Sequence, residues 1–170
     1  MRKFFMICAL FVGVALSIEP LFAEGGKDEC KQVVMSLISK YEKTEGFDAL
    51  VIVKGQGLGL FKSALKKEFG RDFLKKVDNI TMIDYSAVSQ PVVDSLHKDY
   101  DGLVTIMDQL NPDTLKTNDA DYFRIFIKEA DDESGDLTDF ITITESKEGK
   151  LFFYMGGIIS AKSFEKMMSE

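Results

Sequence analysis

Over residues 122–155 the chain carries three runs rich in β-branched and aromatic side chains, separated by polar links that contain glycine. The runs are residues 122–128, 140–144 and 151–155. In the first, Phe123, Ile125 and Ile127 point one way while Tyr122, Arg124, Phe126 and Lys128 point the other. Alternation with a period of two marks strands with one face toward a core. Polar glycine-containing links this short join antiparallel neighbours. This meander restricts the fold more than any other feature of the chain.

The remaining segments are read around it. Residues 28–43 place Cys30, Val33, Val34, Leu37, Ile38 and Tyr41 at helical spacing, with Gly46 positioned to end the segment in a left-handed turn. Residues 49–53 form a short β-branched run bounded by glycine, which reads as a buried strand. A second helix is expected over residues 58–69 and a short helical piece over residues 72–77. A strand is expected over residues 80–85. Ser89 suits a helix cap with Pro91 in the first turn. Val93, Leu96, Tyr100, Leu103, Met107 and Leu110 then fall on one face of a long helix, which Asn111-Pro112 stops. A last helix is expected from Ser160 to Met168. The order α-β-α-β-α-β-β-β-α predicts a two-layer α+β domain, with helices on one face of a mixed, mostly antiparallel sheet of about five strands.

The first 23 residues read as a cleavable export signal. Arg2 and Lys3 precede an uncharged apolar run over residues 4–18, and Ala23 offers a small residue before the cut. That run is shorter than the roughly 20 apolar residues a spanning helix takes. Neither Cys8 nor Cys30 has the surroundings of a lipid-attachment site. The reading is therefore one α+β domain over residues 24–170, periplasmic or secreted, with no membrane span after cleavage. Cleavage of 23 of the 170 residues leaves 147 and removes two of 21 basic and one of 28 acidic residues, so the net charge becomes −8. Such a surface repels nucleic acid, whose capture rests on lysine and arginine. Only Cys30 remains after cleavage, so no internal disulfide forms and the fold depends on its hydrophobic core.

Few patterns suggest chemistry. Gly55, Gly57 and Gly59 lie between a strand and a helix, with Asp84 at the end of the next strand, as in a dinucleotide-binding turn. Position 60 is Leu, however, and the meander is not a second βαβ half, so the glycines read as a strand-to-helix turn and no cofactor is expected. Glu129, Asp131, Asp132, Glu133, Asp136 and Asp139 crowd one link without calcium-loop spacing, which reads as a solvated hairpin tip. His97 is the single histidine, and with one cysteine it builds no zinc site. A Cys30–His97 nucleophilic pair requires contact in space, whereas Cys30 falls on an apolar helical stripe.

The other face of the meander brings together Tyr122, Arg124, Phe126, Phe140, Phe152 and Tyr154. If helices cover the Phe123 side, this aromatic face is partly exposed and suited to binding a partner protein. The alternative is that the first helix or a second copy covers it. Residues 40–47 (Lys-Tyr-Glu-Lys-Thr-Glu-Gly-Phe), the strand–helix–strand after them, and residues 156–164 (Gly-Gly-Ile-Ile-Ser-Ala-Lys-Ser-Phe) resemble exported bacterial proteins grouped as domain of unknown function 4252. The resemblance implies an exported α+β domain and brings no catalytic residues. The expected function is a non-enzymatic binding or interaction module of the cell envelope. The alternative is a small enzyme with a site built from scattered carboxylates.

Overall fold

The computed structural model describes residues 29–53, 76–111, 120–162 and 164–165. In chain order these form α1 (Glu29–Tyr41), β1 (Asp48–Val53), β2 (Lys76–Asp84), α2 (Gln90–Asp101), a 3-10 turn (Gly102–Thr105), β3 (Asp108–Leu110), β4 (Tyr122–Glu129), β5 (Leu137–Ser146) and β6 (Gly149–Ile159). The strands make one six-stranded sheet in the order β1-β2-β6-β5-β4-β3, and every neighbouring pair is antiparallel.

This corrects the expected architecture. The sheet has six strands rather than about five, it is wholly antiparallel rather than mixed, and the described residues are richer in sheet than a helix-covered two-layer fold. Two differences account for it. A strand–helix–strand reading of residues 49–85 implies a parallel crossover, whereas β1 and β2 pair antiparallel from Asp48↔Asp84 to Val53↔Asn79. The long helix expected up to Leu110 ends at Asp101, and β3 emerges from its second half. Val104, Thr105 and Ile106 follow Gly102 there, and β-branched side chains crowd the preceding helical turn. Thr105 Oγ1 donates to the Gly102 carbonyl at 2.7 Å, closing the 3-10 turn. Leu103 and Met107 stay with Val93, Leu96 and Tyr100 in one core cluster, while Leu110 crosses to the opposite side of the sheet.

The expected strands are present and longer. Lys76 and Val77, expected to be helical, begin β2 instead. The helix expected over residues 58–69 and the glycine-rich turn over residues 55–59 lie outside the described residues. Of the last helix, residues 161–162 and 164–165 are helical, and Phe164 N–H donates to the Ser160 carbonyl at 2.9 Å. α1 ends at Tyr41, and Gly46, with φ +81°, lies in the turn closed by the Phe47 N–H to Thr44 carbonyl bond ahead of β1. Among the described residues no helix is long and apolar enough to cross a membrane.

Both faces of the sheet bury apolar side chains. α1 and α2 cover the face that carries Ile83, Phe126, Ile141, Ile143, Phe152 and Tyr154. Ile80, Met82, Ile125, Phe140, Phe153 and Met155 form a second cluster on the opposite face, where the Phe164 ring meets Phe140 edge-on at 5.5 Å. The two helices are tied to each other by Asp99 of α2, which accepts from Lys40 Nζ and from the Tyr41 hydroxyl, both at 2.7 Å.

Candidate functional site

The helix-facing side of β5 presents Asp139, Ile141, Ile143 and Glu145 in a row, because alternate residues of a strand share a face. The row is apolar in the middle and acidic at both ends. Burying a carboxylate is costly unless hydrogen bonds and charges compensate it, and each end is compensated differently.

At one end, Glu145 accepts from the Tyr85 hydroxyl at 3.0 Å, and His97 Nε2 lies 2.5 Å from the same Oε1. The His97 ring stacks on Tyr122 with centroids 4.2 Å apart and planes 6° from parallel. The side chains of His97 and Glu145 are 29 % and 12 % exposed, so the pair is shielded without being sealed. Beside it, Arg124 Nη1 donates to Asp101 Oδ1 at 2.6 Å and to the Tyr122 hydroxyl at 3.2 Å. Its Nη2 donates to Gln109 Oε1 at 2.7 Å, and the guanidinium lies over the Phe126 ring. The Tyr100 hydroxyl is buried here and meets no partner with hydrogen-bond geometry. Burial holds the Tyr85 and Tyr100 phenols well above their ordinary value. The neighbouring Tyr100 and Glu145 add to the effect on Tyr85.

At the other end, Asp139 accepts from the Tyr154 hydroxyl at 2.8 Å and from Thr138 Oγ1 at 3.0 Å. Cys30, in the first turn of α1, is buried within the electrostatic reach of Asp139. Burial, and then the Asp139 charge, push this thiol up to about 12. Gly156 leaves room for this cluster: a Cβ built there would meet Asn79 Nδ2 at 2.5 Å and the Tyr154 hydroxyl at 2.6 Å.

Cys30 and His97 have different neighbours. Cys30 interacts with Asp139, and His97 interacts with Glu145, Tyr122 and Tyr100. Of the six residues expected on one aromatic face, Tyr122, Arg124, Phe126, Phe152 and Tyr154 do share a side, and it is the side the helices cover. The expectation had the helices on the Phe123 side. Phe140 lies on the opposite face, paired with Ile127 and Met155. Phe126, Phe140, Phe152 and Tyr154 are all at most 1 % exposed, so their rings are spent on the two cores. Tyr122 and Arg124 are half-buried at the rim.

Of the acids expected at a solvated tip, Asp131, Asp132 and Glu133 lie in an exposed turn, whereas Asp139 is buried within β5. Asp132 accepts from the backbone N–H and the hydroxyl of Ser134, and these bonds hold its carboxyl below the usual range. Asp84 accepts from the Ser86 N–H and hydroxyl, which closes the turn after β2. Among the described residues, no three histidine, cysteine or acidic side chains converge as metal ligands.

Glu145 and Tyr85 escaped the sequence reading, although one signal was present. Glu145 continues the Ile141–Ile143 row at the next alternate position, so an acid stands on a core face. The arrangement supplies a paired imidazole and carboxylate, with phenols around them. It can hold or pass a proton, and it fastens α2 to the sheet. No protein family, curated protein or solved structure matches this chain.

Proposed function

We propose that the chain, freed of residues 1–23, acts as a non-enzymatic interaction module of the cell envelope that adds an extended segment of another polypeptide to the edge strand β1. The observation that carries this reading is the character of that edge. β1 is an outermost strand six residues long, and among the described residues β2 is its one strand partner. Native sheets protect such edges with bulges, prolines or charges, because unpaired backbone groups recruit further strands. β1 is regular in its pairing, contains no proline and carries one charge, Asp48, at its first position. The opposite edge, β3, is only three residues long and begins with Asp108. Strand addition supplies backbone hydrogen bonds for affinity and alternate side chains for specificity. The resemblance to the exported domain of unknown function 4252 proteins belongs to the same proposal, as does the periplasmic or secreted location.

Ala49 is exposed, so Ala49→Lys tests the edge without opening a core. Capture of envelope partners by the immobilised mature protein is expected to fall at least tenfold with thermal stability unchanged. Equal capture by the variant overturns the reading.

The His97–Glu145 pair favours a second reading, a small enzyme using a carboxylate-backed imidazole. Its support is the short contact of a partly exposed histidine with a shielded acid. Any hydrolytic turnover by the mature protein that His97→Gln abolishes would establish it, and identical turnover by that variant would remove it.

A further inference from the structure

We infer that β1 also pairs with β1 of a second copy, antiparallel and centred on Val51, to make one continuous twelve-stranded sheet; this rests on the edge reading above and names one occupant for it. The argument comes from the faces and charges of the strand. Leu50 and Ile52 pack into the cluster on the face away from the helices, whereas Val51 packs toward the helices. Ala49 and Val53 share the face of Val51 by alternation.

Directly opposed residues of an antiparallel pair must point to the same face. A two-fold axis perpendicular to the sheet therefore allows few registers. Centring on Val51 sets Val51 against itself, Leu50 against Ile52, and Ala49 against Val53. All five apolar residues then meet apolar partners, and Asp48 of each copy falls opposite position 54, a lysine, at the end of the paired core. Centring on Leu50 sets the Asp48 carboxylate against Ile52, and centring on Ala49 sets it against Leu50. Both alternatives desolvate an acid against an aliphatic side chain. In the favoured register the two Asp48 side chains stand about 20 Å apart, six strand positions at roughly 3.3 Å each. That exceeds the screening length of about 8 Å at physiological salt, so two acidic chains meet without like charges set against each other. A strand that matches itself about a two-fold is an isologous interface. The axis leaves α1 and α2 of both copies on the same side of the joined sheet. Five paired residues sit at the low end of interface size, so the dimer is weak and depends on concentration.

The register gives a discriminating test with the mature chain. Opposed Cβ atoms about 4.5–5.5 Å apart lie near disulfide range. Cys30 is buried, so it contributes little background. Under mild oxidation Val51→Cys is expected to form a disulfide-linked dimer at least tenfold faster than Ala49→Cys or Val53→Cys, each of which opposes a different residue. Sedimentation velocity of the unmodified mature chain is expected to show a monomer–dimer equilibrium that Ala49→Lys shifts to monomer. A monomer at every concentration up to millimolar, or equal cross-linking at positions 49, 51 and 53, overturns the second-copy inference. Either result leaves strand capture standing if Ala49→Lys still abolishes partner capture, so the two failures are distinguishable.

Discussion

His97 and Glu145 join the middle of α2 to an interior strand across 2.5 Å, and the same carboxylate holds the Tyr85 hydroxyl. Three elements therefore depend on one acid. Glu145→Leu fills the volume but strands a buried hydroxyl and an imidazole, at a cost of about 3 kcal/mol. Glu145→Gln keeps an acceptor for both and is expected to cost about 1 kcal/mol. Urea unfolding followed by far-UV circular dichroism reads the difference as a shift in midpoint at constant slope. Equal midpoints for the two variants would show that the acid does not carry these bonds.

The thiol of Cys30 gives a second prediction. With its titration pushed up to about 12 by burial and by Asp139, the thiolate fraction at pH 8 is roughly a thousandfold below that of an ordinary cysteine. The native protein is expected to leave a disulfide reagent such as Ellman's reagent almost untouched over hours. In guanidinium the Cys30 thiol is expected to react within minutes. Prompt reaction of the folded protein would place Cys30 at the surface.

The meander, the amphipathic α1 and the start of α2 were legible because each depends on local pattern, although the Ser89 hydroxyl expected to cap α2 makes no cap hydrogen bond. The sheet edges were not. β3 is a three-residue strand whose Leu110 continues the helical spacing of Met107, so the pattern alone cannot show the chain leaving the helix. The β1–β2 pairing is equally hidden, since a strand followed by an amphipathic stretch and another strand reads as a crossover whichever way the strands run. The aromatic residues were correctly assigned to strands, but whether helices lie above or below them is a tertiary choice. Phe126 and Phe123 are both plausible core residues, and the sheet buries apolar side chains on each side. Glu145 was the legible sign of the helix-covered face, because an acid in an apolar row needs a partner from above.

Tyr85 and Tyr100 make the fold sensitive to alkali. Their phenols are held above the ordinary value of about 10 when folded and return to it on unfolding. A group whose folded value is raised leaves stability intact below its unfolded value and removes it as pH rises toward the folded one. Stability is therefore expected to hold to about pH 10 and to fall steeply above it. Absorbance at 295 nm should show the Tyr85 and Tyr100 phenols ionising together with loss of circular dichroism. Tyr85→Phe should shift that unfolding to higher pH relative to its own stability at pH 7. Smooth titration of all five tyrosines near pH 10 without unfolding would contradict the enclosed hydroxyls.

Gly156 permits the Asp139 cluster, and its replacement tests whether that cluster is a unit. The added Cβ of Gly156→Ala meets Asn79 Nδ2 at 2.5 Å and the Tyr154 hydroxyl at 2.6 Å. Asn79 is buried, and its side-chain Oδ1 already lacks a hydrogen-bond partner, so relief must displace the Tyr154–Asp139 bond or shift β6. Overpacking of this kind costs about 1–3 kcal/mol. Asn79→Ala removes the nearer of the two obstructions and an unpaired buried oxygen while leaving the Tyr154 hydroxyl in place, and is expected to be nearly neutral alone. The double variant Gly156→Ala/Asn79→Ala should then recover at least half of the stability lost by Gly156→Ala, a coupling that thermal melts resolve. If the two effects simply add, the Gly156 backbone and not the Asn79 side chain sets the cost. The cluster would then be a consequence of the bend in β6, where Gly157 takes φ +112°, rather than its cause.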